Sequence, residues 1–178
     1  CSFHAAGVAE DRSKTGLCSR SSFRNTRTDF GASMPSGIKH KLGDFWGLRS
    51  LDAKRVAVLA VDFSGHGINA ALNTFRLHAL LDSDREHADD PAAFLRRLNR
   101  RIAPLLPVGQ YATMFYGVID AARDVLTYAG AATPSPLVFP ADTDVPLVGS
   151  GTGYPIGMFD DSLYENRELP FPVGASLL

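Results

Sequence analysis

Residues 56–81, VAVLAVDFSGHGINAALNTFRLHALL, decide the fold. Val56 to Val61 is an unbroken apolar run that begins after Lys54 and Arg55 and stops at Asp62. A run of this length with charge at both ends suits a strand covered on both faces. Gly65 and Gly67 lack a β-carbon, so the backbone beyond Asp62 can pass close to whatever that carboxylate holds. Ile68, Ala71, Leu72, Phe75 and Ala79 then recur at helical spacing, which predicts a helix over about Ile68 to Leu81 with those residues as its apolar face. The stretch reads as strand, acidic glycine-rich corner and helix, a candidate site between two rigid elements.

Upstream, Leu42 to Leu48 (LGDFWGL) is an aromatic-rich strand candidate, joined to the Val56 strand by a turn at Leu51 to Lys54. Two neighbouring strands thus carry one acid each, Asp44 and Asp62. Asp29 to Pro35 is read as a short strand and the residues through Lys41 as a loop. Residues 1–28, rich in Ser, Thr and Arg and without a sustained period, are read as a flexible arm, and 29–178 as the folded domain.

Downstream, Asp90 is placed as the N-cap and Pro91 as the first residue of a second helix. Its apolar face is Phe94, Leu95, Leu98, Ile102 and Leu105, and Arg96, Arg97, Arg100 and Arg101 occupy the wet side. Tyr111 to Ile119 and Asp124 to Gly130 form a hairpin across Asp120 to Arg123, and shorter strands are expected at 136–139 and 146–148. Strand starts are also read at Pro155 to Met158 and Pro172 to Leu178. The glycines at 149, 151 and 153 have no lysine after them and open no helical pattern, so they read as a connection and not as a phosphate loop.

At 178 residues one core is expected, and no apolar run approaches the roughly 18 residues of a membrane span. No secretory leader is read at the start, so the cytoplasm is expected, and Cys1 and Cys18 are read as free thiols. Residues 1–41 carry seven basic and three acidic side chains, a balance of +4 against -5 for the rest. The basic stretch has no dense cluster and no aromatic interleaving, so nucleic acid is not expected as a partner.

Five pieces in order carry a family resemblance: Gly43-Asp44-Phe45-Trp46; Asp62-Phe63-Ser64-Gly65-His66-Gly67 with Ala70-Ala71; Ala112 to Phe115; Ala129-Gly130; and Pro155-Ile156-Gly157-Met158. Together they resemble the sporulation stage II protein E-like branch of the metal-dependent Ser/Thr protein phosphatases (PPM family, type 2C). The resemblance implies an α+β fold, a layered sandwich of two antiparallel β-sheets flanked by helices. It further implies two Mn²⁺ or Mg²⁺ ions, with Asp62 bridging both, Asp44 on one and the backbone carbonyl of Phe63 on the other. Asp44 and Asp62 would then be the catalytic acids.

Hard divalent cations favour carboxylate, carbonyl and water oxygens, so few protein ligands suffice. Without the resemblance Asp62 reads as a turn or helix-capping aspartate. His66 reads either as a contact to substrate phosphate or as a residue that orients the corner, and Ser64 as a local backbone partner.

The implied substrate is a phosphorylated bacterial regulatory protein, such as an anti-sigma-factor antagonist. The rival reading is a catalytically silent phosphoprotein-binding module or one that dimerises through its helices. The resemblance places a further metal-ligating aspartate on a strand after Leu178, so two acids alone are expected to bind the ions weakly, and an open sheet edge there to favour a homodimer.

Overall fold

The computed structural model describes residues 23–24, 38–41, 44–65, 67–83, 88–151 and 153–178. Among the described residues ten strands form, in chain order: β1 (Phe23–Arg24), β2 (Ile38–Lys41), β3 (Asp44–Ser50), β4 (Arg55–Phe63), β5 (Ala112–Asp120), β6 (Val125–Ala131), β7 (Leu137–Phe139), β8 (Leu147–Val148), β9 (Arg167–Pro170) and β10 (Ser176–Leu177). Helix α1 spans Ile68–Ser83 and α2 spans Pro91–Ile102, which runs into a 3-10 turn at Ala103–Leu105. One antiparallel sheet has the order β2-β3-β4-β5-β6-β9 and the other β1-β10-β7-β8.

Strand β4 is buried on both faces because alternate side chains enter two different cores. Ala57, Leu59, Val61 and Phe63 pack with Leu77, Leu81, Phe94, Leu95 and Leu98 of the helices. Val56 and Val58 pack with Phe115, Ile119, Val138 and Phe171 between the sheets. The layers are therefore helices, large sheet and small sheet, as the resemblance implies.

Most elements fall where the sequence places them, and the exceptions have physical causes. Helix α1 buries Ala70, Asn73, Thr74, Leu77 and Leu81. The apolar face expected from Ile68, Leu72, Phe75 and Ala79 is instead turned outward, with Ile68 80% and Phe75 74% exposed. Apolar residues run along two opposite sides of this helix, so periodicity alone could not choose between them. The two buried polar residues are satisfied locally: Thr74 Oγ1 donates to the Ala70 carbonyl at 2.9 Å, and the Asn73 amide donates to Gln110 Oε1.

Residues 38–41 form a strand and not a loop, and Ile156 makes only an isolated bridge to Ala112. Strand β9, RELP, carries no strand signal in its sequence because it is a polar, mostly exposed edge strand without apolar alternation. Leu105 lies beyond α2 and is exposed. Of the stretch read as an arm, Phe23 and Arg24 pair with β10, and the rest lies outside the described residues. So do the Asp29–Pro35 strand and both cysteines.

Helix α2 starts as its sequence predicts. Asp90 Oδ1 accepts from the Ala93 N–H at 3.0 Å and from the Asn166 amide at 2.8 Å, while Asn166 Oδ1 accepts from the Ala92 N–H at 2.8 Å. Burial pushes the Asp90 carboxyl up, but those donors and nearby Arg96 outweigh it and hold the group below its ordinary value. A carboxyl depressed by folding adds stability above its unfolded pKa of about 3.9 and loses that contribution as pH falls through the folded value. Asp90→Ala is therefore expected to cost about 1 kcal/mol at pH 7 in urea unfolding. The gap between wild type and variant should close below about pH 4.

Candidate metal centre

The site is assembled by register. Asp44, the first residue of β3, stands directly opposite Asp62 of β4, and Thr113 of β5 stands opposite Asp62 on its other side. Side chains alternate along a strand, and residues directly opposite share a face with β-carbons about 4.5–5.5 Å apart. Trp46, Leu48, Val56, Val58, Ala60, Phe115 and Ile119 mark the face toward the small sheet. Asp62 and Thr113 have the parity of that face and lie at the rim of the inter-sheet core, and Asp44 holds the register position directly opposite Asp62. Asp62 is exposed while both its neighbours, Val61 and Phe63, are buried.

Phe63 has the opposite parity. Its ring is 2% exposed in the helix-side core, so only its main chain is available at this rim. The strand then turns: Gly65 has φ 91° and Gly67 φ 77°, values that side chains with a β-carbon rarely adopt. Space is not the constraint, since a β-carbon on either glycine would meet no atom within 4 Å. Helix α1 begins at once, with the Ala71 N–H donating to the Gly67 carbonyl at 3.2 Å. His66 lies outside the described residues.

Two acids directly opposite each other on neighbouring strands repel and destabilise the pair unless a positive charge lies between them. That is the donor set a hard divalent cation accepts, with a carbonyl and waters completing it. Among the described residues no group of three or more His, Cys, Asp or Glu side chains is placed to hold a metal. The pair, with the Phe63 carbonyl, is the candidate centre, and its residues fit such an ion.

Thr113 has no signal of its own in the sequence beyond its place in the Tyr111 to Ile119 strand. Counting parity along Tyr111 to Ile119 would have put it on the acid face. A cavity of about 620 Å³ lies elsewhere, lined by Gly130, Gly153, Tyr154, Phe159 and Arg167 among others, and contains neither acid.

Two packed antiparallel sheets with helices against the larger one form an α+β sandwich, the fold class of the type 2C phosphatases. The comparisons agree. The SiaA-PP2C domain of Pseudomonas aeruginosa superposes with a TM-score of 0.59 at 27% identity over 72% of this chain and 50% of that one. The RsbU and RsbW domains of Rv1364c from Mycobacterium tuberculosis give a TM-score of 0.66 at 23% identity over 78% of this chain and 38% of that one.

A sequence profile described as Stage II sporulation protein E (SpoIIE) matches residues 52–178. The chain belongs to that family. Phosphoserine phosphatase RsbP of Bacillus subtilis (strain 168) is 30% identical over 140 residues, which is 76% of this chain and 34% of that protein. The chain thus spans about a third of the length of this relative.

The candidate centre has a measurable consequence. Mn²⁺ should raise the melting temperature of the wild type and leave that of Asp62→Asn unchanged, which thermal melts of both proteins with the cation and with chelator will show.

Proposed function

We propose that the domain hydrolyses phosphoserine or phosphothreonine on a bacterial regulatory protein, using a metal-activated water. The observation that carries this reading is the register that sets Asp44 directly opposite Asp62 at the end of the β3–β4 pair. Membership of the family and the likeness to a phosphoserine phosphatase support it. Asp62 would hold two ions, Mn²⁺ or Mg²⁺, with Asp44 on one and the Phe63 carbonyl on the other. Bound there, such ions supply an acidic water as nucleophile and positive charge on the phosphoryl oxygens.

The chain's own part is placement. Asp44 and Asp62 act as fixed carboxylates on paired strands, and no side-chain nucleophile is required. His66, one residue beyond Gly65, would contact the phosphate of the substrate. The substrate fits a partner-switching regulator, an anti-sigma-factor antagonist, and the cytoplasm is where such a protein would meet it. We place the phosphatase domain at residues 29–178 and a basic arm at 1–28, of which Phe23 and Arg24 join the small sheet beside β10. No helix among the described residues is long and apolar enough to cross a membrane.

Manganese-dependent release of phosphate from a phosphoserine-bearing regulatory protein is the expected result, with turnover in Asp62→Ala reduced by at least a hundredfold, about 2.7 kcal/mol of barrier. Undiminished turnover in that variant removes the metal assignment.

One observation favours a second reading, a module that associates through its helices. Ile68, Leu72 and Phe75 form an exposed apolar stripe on α1. If a second copy covers this stripe, sedimentation should show a dimer that Phe75→Glu dissociates; a wild-type monomer at tens of micromolar rules the reading out.

A further inference from the structure

We propose that Ser64 is a positioning residue for the metal centre, its hydroxyl taking over a backbone bond so that β4 can leave the sheet while the Phe63 carbonyl stays aimed toward β3. The inference rests on the metal reading above and assigns a task to a side chain that reading leaves idle.

The Ser64 N–H donates to the Tyr111 carbonyl at 2.9 Å, which extends the β4–β5 ladder one row beyond Phe63 and Ala112. In a hydrogen-bonded antiparallel pair the return bond would run from the Tyr111 N–H to the Ser64 carbonyl. Here the Tyr111 N–H donates to Ser64 Oγ instead, also at 2.9 Å. The side chain closes the row, and the Ser64 carbonyl is released from that duty. The backbone can therefore turn at Gly65, where φ is 91°, without unzipping the strands beside Asp62.

The consequence falls on Phe63. A trans peptide is planar, with its C=O and N–H pointing in opposite directions, and no cis peptide occurs among the described residues. Because the Ser64 N–H points at β5, the Phe63 carbonyl in the same peptide plane points away from β5. That is the side of β3, whose first residue, Asp44, stands opposite Asp62. The clamp thus sets the direction of the one main-chain oxygen proposed as a ligand.

The β5 end of the clamp is itself held. The Gln110 N–H donates to the Pro107 carbonyl at 3.0 Å, and Gln110 Oε1 accepts from the amide of Asn73, which is 1% exposed on α1.

The test is a calorimetric titration of the chain with Mn²⁺ alone, for wild type, Ser64→Ala, Ser64→Thr, Ser64→Val and Asp62→Ala, with hydrogen exchange of the Tyr111 amide followed in parallel. Ser64→Ala and Ser64→Val should bind Mn²⁺ at least about tenfold more weakly, the usual loss when a group that orients a ligand is removed. Both should also lose protection at Tyr111. Ser64→Thr keeps a hydroxyl and should retain both properties.

Wild-type affinity in Ser64→Ala and Ser64→Val overturns the proposal. If Ser64→Ala fails to fold, the Thr and Val variants, equal in shape and different in the hydroxyl alone, decide it, and equal affinity in those two is the refuting result. A wild-type titration in Asp62→Ala instead removes the metal reading itself.

Discussion

The pairing of β4 with β5, nine rows from Arg55 opposite Asp120 to Phe63 opposite Ala112, is the constraint on which the rest of the molecule depends. It fixes which residues of β4 face the helices and which face the small sheet, and each face then builds its own core. Full burial of a Val, Leu or Phe side chain contributes about 1.5–3 kcal/mol, so a strand loaded on both sides is held firmly in one register. Its last rows inherit that rigidity. Asp62 and Phe63 differ by one position, yet one offers a carboxylate to solvent and the other sends a ring into the core.

Much of this was legible in the residues. The apolar run from Val56, the Asp90-Pro91 helix start and the hairpin turn after Ile119 each carry a local signal that the folded chain repeats. The turn shows why: Asp120 Oδ1 accepts from the N–H groups of Ala122 and Arg123, at 2.9 Å and 3.1 Å, so its bonds close within four residues.

What failed was decided at longer range. The burial of Asn73 and Thr74 in place of Leu72 and Phe75 depends on Gln110, 37 residues away, and on which side of α1 meets the sheet. Strand β9 exists because the open edge of β6 accepts it, in a register that sets Glu168 beside Thr127. Its own residues say little.

The candidate site divides in the same way. The acids Asp44 and Asp62 could be singled out from sequence because Asp44 follows Gly43 at the start of one strand and Asp62 closes an apolar run ahead of Gly65 and Gly67, and the family resemblance gave them roles. Their face-to-face placement could not be, since it needs the β3–β4 register. Nor could the substitution of a serine hydroxyl for a backbone carbonyl at the end of β4. An oxygen that ends a strand and an oxygen that merely decorates one look alike until the partner strand is in place.

The two-faced character of β4 also governs how the gene can change length. Loops such as residues 140–146 join two short strands of the small sheet, one of them its edge, and lie at the surface, where an added residue alters little. Between Arg55 and Phe63 an added residue reverses the parity of everything after it and carries Asp62 to the helix side. Evolution can therefore edit the letters of this strand more freely than their number. Its length acts as a reading frame for the protein's surface chemistry.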